Sequence, residues 1–186
     1  MPPLRPSIRL IAVLLALADC GATEGQATSA GDLNGTSFSA VDSVYSTGIT
    51  PPIYLSTYTG VDQLVGNVTG LLVSSDSHAC GDISNPMTPG STGLFAILFA
   101  DDGQGNVTAP AGPDVFYVFD PTAPFAEGNN AVVSEEPCAG GVASGGTFTL
   151  TEISPNLIGS YDVTFEDGSE VKGTFNAVPC SAATCD

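Results

Sequence analysis

The chain has 186 residues, 42% of them hydrophobic and only 12% charged, with three Lys or Arg against twenty Asp or Glu and a formal charge of −17. That length holds one domain plus appendages. A field of this sign repels phosphate backbones and anionic headgroups, which excludes nucleic acid as a partner and leaves a covalent lipid as the only route to a membrane.

The N terminus reads as an export signal. Arg5 and Arg9 form a positive flank, Leu10 to Ala18 an apolar run, and small residues follow. The run is far shorter than the roughly 20 residues that span a bilayer, so residues 1–19 are expected to be a signal peptide. Leu17-Ala18-Asp19-Cys20 resembles the lipobox of bacterial lipoproteins, whose cysteine becomes the lipid-bearing first residue, although Asp19 stands where that motif has Gly, Ala or Ser. The alternative is ordinary cleavage after Ala18, releasing a secreted or periplasmic protein. Of the five cysteines, lipidating Cys20 leaves an even set suited to disulfides. Parity favours Cys20 as the lipidation site and the outer membrane of the cell envelope as the location. Removing Arg5, Arg9 and Asp19 leaves nineteen carboxylates against Lys172 alone, a charge of −18.

Residues 20–32 show no apolar periodicity and are expected to be a flexible tether of roughly 20 Å mean reach, leading to a single β-domain over residues 33–186. No stretch of that domain carries a helical period. Residues 36–45 alternate imperfectly. Pro51-Pro52 precedes a possible edge strand at 53–58. Residues 64–73 are apolar and β-rich, with Gly66 and Gly70 suggesting bulges or a bend. Residues 76–80 suit one helical turn. Residues 94–100 are almost wholly apolar and predict a central strand buried on both faces. Asp101 to Asn106 is a turn cluster, residues 115–119 are aromatic-rich, and residues 131–134 form a short strand.

The clearest local specification is a three-stranded meander over 147–153, 158–165 and 169–178. A three-residue loop, Glu166 to Gly168 with Gly168 left-handed, pairs Val163 with Val171, Tyr161 with Gly173 and Phe175 with Gly159. It also sets aromatic rings over strand glycines. A four-residue loop, Ser154 to Leu157, would pair Phe148 with Val163 and Leu150 with Tyr161. One face then carries Phe148, Leu150, Tyr161, Val163, Phe165, Val171 and Phe175, and the other Thr, Ser, Asp, Glu, Asn and Lys172. With eight or nine strands and no covering helix, the fold is expected to be an all-β antiparallel sandwich, because loops are uneven and prolines recur; a closed antiparallel barrel is the alternative.

Cys80, Cys138, Cys180 and Cys185 are the disulfide candidates in an exported chain. Cys138 and Cys180 lie at ends of the meander about 20 Å apart, beyond disulfide reach. That leaves Cys80–Cys138 with Cys180–Cys185, or Cys80–Cys180 with Cys138–Cys185. No Cys-x-x-Cys pair suggests zinc. His78, the only histidine, lies near Asp76, Ser77 and Cys80, but no nucleophile elbow accompanies it, and it reads as a partly exposed histidine beside a disulfide. Asp101, Asp102 and Asn106, with Gln104, could offer oxygens to calcium. EF-hand spacing is missing, and an Asp/Gly hairpin turn explains the same residues. No cofactor is implied.

The runs Gly146-Thr-Phe-Thr-Leu-Thr, Gly159-Ser-Tyr-Asp-Val-Thr-Phe and Gly173-Thr-Phe-Asn-Ala-Val-Pro-Cys180 resemble the C-terminal signature of myxobacterial-type lipoproteins of unknown function. The leader with Cys20, the opening Leu33-Asn34-Gly35-Thr36-Ser37-Phe38 and mid-chain Cys80 extend the resemblance over about half the chain. It implies an envelope lipoprotein and assigns no catalytic or binding residue. The functional expectation is a non-catalytic exported lipoprotein with a binding or display role. The alternatives are a small-ligand, glycan or calcium-binding module, and a secreted hydrolase using acidic residues.

Overall fold

The computed structural model describes residues 25–33, 35–49, 65–77, 79–82, 92–120, 127–136 and 139–180. The signal peptide, Cys20, the strand expected at 53–58, His78, Cys138 and Cys185 lie outside the described residues.

The elements in order are β1 (Gln26–Leu33), β2 (Thr36–Ser37), β3 (Asp42–Ile49), β4 (Val65–Gly66), β5 (Val68–Ser74), α1 (Ala79–Asp82), β6 (Gly93–Asp101), β7 (Asn106–Thr108), β8 (Asp114–Val118), β9 (Gly128–Glu136), β10 (Ala139–Glu152), β11 (Leu157–Phe165) and β12 (Glu170–Pro179). The all-β class holds, in the barrel form. Eight strands close a ring in the order β11-β10-β8-β9-β6-β5-β3-β12, the β11–β12 pairing completing it. Strands β1, β2, β4 and β7 lie outside the ring. Closure depends on a short parallel ladder, Val178 with Val44 and Pro179 with Tyr45. Strand patterning cannot show a pairing between segments so far apart in sequence, which is why uneven loops pointed to a sandwich instead.

The meander sets the curvature. Its last turn is the expected one: Glu166 to Gly168 separate Phe165 from Ser169, Gly168 has φ +83°, and Phe165 N–H donates to Ser169 O at 2.9 Å. Val163 then faces Val171, Tyr161 faces Gly173, and Gly159 faces Phe175. The first turn differs from expectation. Phe148 pairs with Tyr161 and Leu150 with Gly159: five residues rather than four separate the last pair, Glu152 with Ile158, and a bulge between Leu150 and Glu152 adds the second residue of offset. The offset is two residues, an even number, so every side chain keeps its face. Phe148, Leu150, Tyr161, Val163, Phe165, Val171 and Phe175 are all buried, and the Phe148 and Tyr161 rings stack at 5.8 Å.

Gly173 permits a close approach of two strands beside this face. A Cβ there would collide with the Thr28 carbonyl of β1 and lie 2.7 Å from the Tyr161 hydroxyl. That hydroxyl crosses the glycine to donate to Thr28 O at 3.0 Å, and burial pushes the Tyr161 phenol's pKa well above its usual value. The tether expectation is corrected here. Gln26–Leu33 is a strand that runs antiparallel along β12, Ala27 opposite Phe175 and Ala30 opposite Lys172. Ser29 Oγ fastens it by donating to Phe38 O and accepting from Ala40 N–H, both at 2.7 Å. Apart from Leu33 the run has no large apolar residue; backbone pairing with β12, which Gly173 lets approach closely, holds it as a strand.

Two apolar clusters flank the wall. Inside the ring, Leu71, Leu94, Leu98, Phe116, Val133 and the meander face form the main core. An eight-stranded barrel is just wide enough to be filled by side chains. The second cluster packs outside β3, β5, β6 and β9, where Phe95, Ile97, Phe99, Leu72 and Val132 meet Ala79 of α1 and Val107 of β7. β6 is therefore covered on both faces, as its unbroken apolar run predicts, and β5 is buried throughout. Gly66, with φ +137°, marks the break between β4 and β5. Gly70 keeps register with Ile97 of β6, but its pairing with Ser46 of β3 borders a bulge that reaches Ile49, and it gives room to Ile49 and the Phe95 ring. On the outer wall formed by β8, β10, β11, β12 and β1, Val178 at the end of β12 joins the second cluster, while Tyr117, Thr147, Asp162 and Lys172 belong to neither.

Candidate functional site

Three places on this scaffold hold polar or reactive side chains worth testing as sites. The first is the β6–β7 turn. Asp101 ends β6 and is 5% exposed. Its Oδ1 accepts from Gly103 N–H at 2.6 Å, while Oδ2 is buried with no hydrogen-bond partner. Burial raises its pKa, the Gly103 bond works against that, and the neighbouring carboxylates of Asp102 and Glu127 add to the rise. Asp102 is the opposite case. It accepts from Asn106 Nδ2 at 2.6 Å, Gln104 N–H at 2.8 Å and Asn106 N–H at 3.1 Å. The Asn106 side chain foremost, and then the backbone donors, hold its carboxyl below the usual range. The structure thus brings Asp102 and Asn106 into contact, and uses their polar atoms to close the turn through Gly103 and Gly105, both left-handed. Among the described residues no group of three His, Cys, Asp or Glu is arranged to hold a metal ion.

The second is the disulfide. Asp42 on β3 accepts from Ser43 N–H at 2.7 Å through Oδ1 and from Ala79 N–H at 3.2 Å through Oδ2. This fixes the start of α1 against the barrel. Cys80, the next residue, is bonded to Cys180, with Cα atoms 5.7 Å apart. Cys180 N–H donates to Tyr45 O at 2.7 Å, so both partners are held against β3. Of the two pairings open from sequence, this belongs to the one that joins Cys80 with Cys180.

The third is the outer wall of β8, β10, β11, β12 and β1. Registers on five strands align its outward side chains in two rows. One row runs Tyr117, Thr147, Asp162, Lys172, Ala30; the next runs Val115, Thr149, Ser160, Thr174, Thr28. β-branched Thr suits such a half-exposed pleated surface, and its inward neighbours are the large apolar residues of the core. Thr28 and Thr174 hydroxyls lie 2.8 Å apart, and Thr174 N–H donates to Thr28 Oγ1 at 3.2 Å. Lys172 Nζ lies 3.3 Å from Asp162 Oδ2 and 3.6 Å from Glu170 Oε2. The hydrogen bond and charge of Asp162, followed by the charge of Glu170, raise the ammonium's pKa. A shallow groove of about 490 Å³ runs along these rows, lined by Thr28, Thr147, Ser160, Asp162, Lys172 and Thr174 among others. Tyr117 stands at its end beside Thr147, 63% exposed. Alternation gave the outward direction of the meander residues. That β8 and β1 extend the same surface could not be read locally, and so Tyr117 was missed.

No protein-family model, curated protein or solved structure matches the chain.

Proposed function

We propose that this protein is a non-catalytic, exported envelope lipoprotein, anchored through lipid on Cys20, whose barrel serves as a binding or display module. The observation that carries the reading is the Cys80–Cys180 bond. Such bonds persist in oxidising compartments and are rare in a reducing cytosol. The positively flanked leader, the cysteine parity and the resemblance to myxobacterial-type lipoproteins support export and anchoring. Support for a binding role comes from the division of the barrel: its interior is filled by side chains, and a groove runs along the outward rows of one wall.

The test is intact-mass measurement on protein from membrane fractions, with thiol alkylation in denaturant and without reductant. The expected result is acyl mass on a chain beginning at Cys20, with Cys80 and Cys180 unmodified. A chain starting at Asp19 without acyl mass would replace the anchored form with a secreted one, and alkylation of Cys80 and Cys180 under these conditions would overturn export.

The second reading, a module that binds a small ligand or glycan, is favoured by the groove itself, where the hydroxyls of Thr28, Ser29, Thr147, Ser160 and Thr174 punctuate a mainly apolar lining.

A further inference from the structure

We infer that the outer wall of β8, β10, β11, β12 and β1 binds a neutral, hydroxyl-rich polysaccharide laid across the strands, with a sugar ring against Tyr117. This rests on the binding-module reading and names the ligand class of its groove.

Tyr117 is the first reason. A large aromatic side chain is ordinarily buried for most of its area, yet here it is 63% exposed at the end of the groove. Its flat face suits the axial C–H surface of a sugar ring, and its hydroxyl can both donate and accept. The hydroxyl rows are the second reason. Thr147 flanks Tyr117, and Thr149, Ser160, Thr174 and Thr28 follow in the adjoining row, one per strand. Each hydroxyl both donates and accepts, which matches a ligand whose own groups do the same. Strands lie about 4.8 Å apart, so Tyr117 and Lys172 are separated by roughly 14 Å across three spacings. A groove of that reach addresses several linked sugars rather than one.

Charge narrows the class. Lys172, the single basic residue after Cys20, is flanked by Asp162 and Glu170 within salt-bridge distance. It therefore presents a donor beside acceptors without a net positive patch. In a chain of strongly negative charge, such a surface repels anionic polymers. A protein partner fits less well. Interface centres are depleted in charge and rich in packed apolar side chains, whereas this wall has an ion pair at its middle and one large aromatic at its edge. A lipid surface would need an apolar face or a basic cluster, and the wall has neither.

The test is affinity electrophoresis of the purified protein under native conditions, in gels cast with a soluble neutral β-glucan, a neutral galactomannan or the anionic polymer alginate. At least one neutral polymer should retard migration, alginate should not, and added salt should leave the retardation unchanged. Tyr117→Ala should lower the association constant about tenfold, while Tyr117→Phe should keep most of it. Thr147→Val and Thr174→Val, which keep shape and strand preference but lose the hydroxyl, should each weaken it severalfold. Val65→Thr, at an exposed position on β4 away from the wall, should bind like the parent. Thermal unfolding of each variant checks that the barrel is intact. Absence of retardation by both neutral polymers, retardation by alginate alone, or equal retardation of parent and folded Tyr117→Ala would overturn the inference. Any of these would leave the acyl mass and protected cysteines untouched, and so would not count against export.

Discussion

Phe175 on β12 lies against Gly159 on β11, its ring Cζ 2.8 Å from the point where a Cβ on the glycine would stand. The Thr149 carbonyl of β10 approaches that point from the other side. Three neighbouring strands thus converge where only hydrogen fits.

Substituting Gly159 tests that convergence. Gly159→Ala forces a backbone carbonyl and a core ring apart and should cost about 2 kcal/mol or more. Gly168→Ala is the comparison. Nothing lies within 4 Å of its added Cβ, and only the positive φ of +83° opposes it, a penalty of about 1 kcal/mol. Urea unfolding should therefore place Gly159→Ala clearly below Gly168→Ala in midpoint; equal midpoints would mean that the close approach is easily relieved.

The meander was legible because its determinants are local. Asp167-Gly168 fixed a loop, the loop fixed a register, and period-two alternation assigned faces to Tyr161, Val163 and Phe165. The Leu150–Glu152 bulge was not legible, since nothing in Thr151 marks it as an extra residue within a strand. Barrel closure was hidden for a different reason. It rests on Val178 and Pro179 pairing with Val44 and Tyr45, more than a hundred residues away, and no local preference encodes a partner. The groove was half visible. Thr147, Ser160, Asp162, Lys172 and Thr174 faced outward in the sequence reading, but Thr28 had been placed in a tether and Tyr117 had no known neighbour.

The disulfide should be a major source of stability. Cys80 and Cys180 are 100 residues apart, and closing a loop of that length disfavours the unfolded chain by about 4–5 kcal/mol on a chain-entropy basis. The double variant Cys80→Ala/Cys180→Ala leaves Cys138 and Cys185 in place, so its unfolding free energy in urea isolates this bond. A fall of several kcal/mol is expected; an unchanged midpoint would show that the folded barrel alone fixes α1 and the end of β12.

Asp42 gives a second route to the same region. Its two carboxylate oxygens take one N–H each, from Ser43 and Ala79, in a buried setting. Asp42→Ala strands the Ala79 N–H and should cost about 1–3 kcal/mol. Asp42→Asn keeps one acceptor oxygen and should fall between the parent and the alanine variant in an unfolding series. Protection of Cys80 from alkylation should persist in both variants, because the sulfur bond does not depend on the hydrogen bond.

Asp101 should weaken the fold as pH rises. Its folded-state pKa is raised, chiefly by burial, so the native protein holds this proton more tightly than the unfolded chain does. The stabilisation from protonated Asp101 is complete below the unfolded value of about 3.9 and is lost as pH climbs through the higher folded value. Above that, an ionised carboxylate sits with Oδ2 buried and unpaired. Asp101→Asn keeps an oxygen for Gly103 N–H and removes the charge. The variant should match the parent near pH 3 and exceed it by about 1 kcal/mol at neutral pH, the scale of one unsatisfied buried polar atom. Urea unfolding of both proteins across this range reads the difference directly. A gap that stays constant with pH would assign the effect to packing, and a parent more stable than the variant at neutral pH would show that ionised Asp101 is held favourably by the turn.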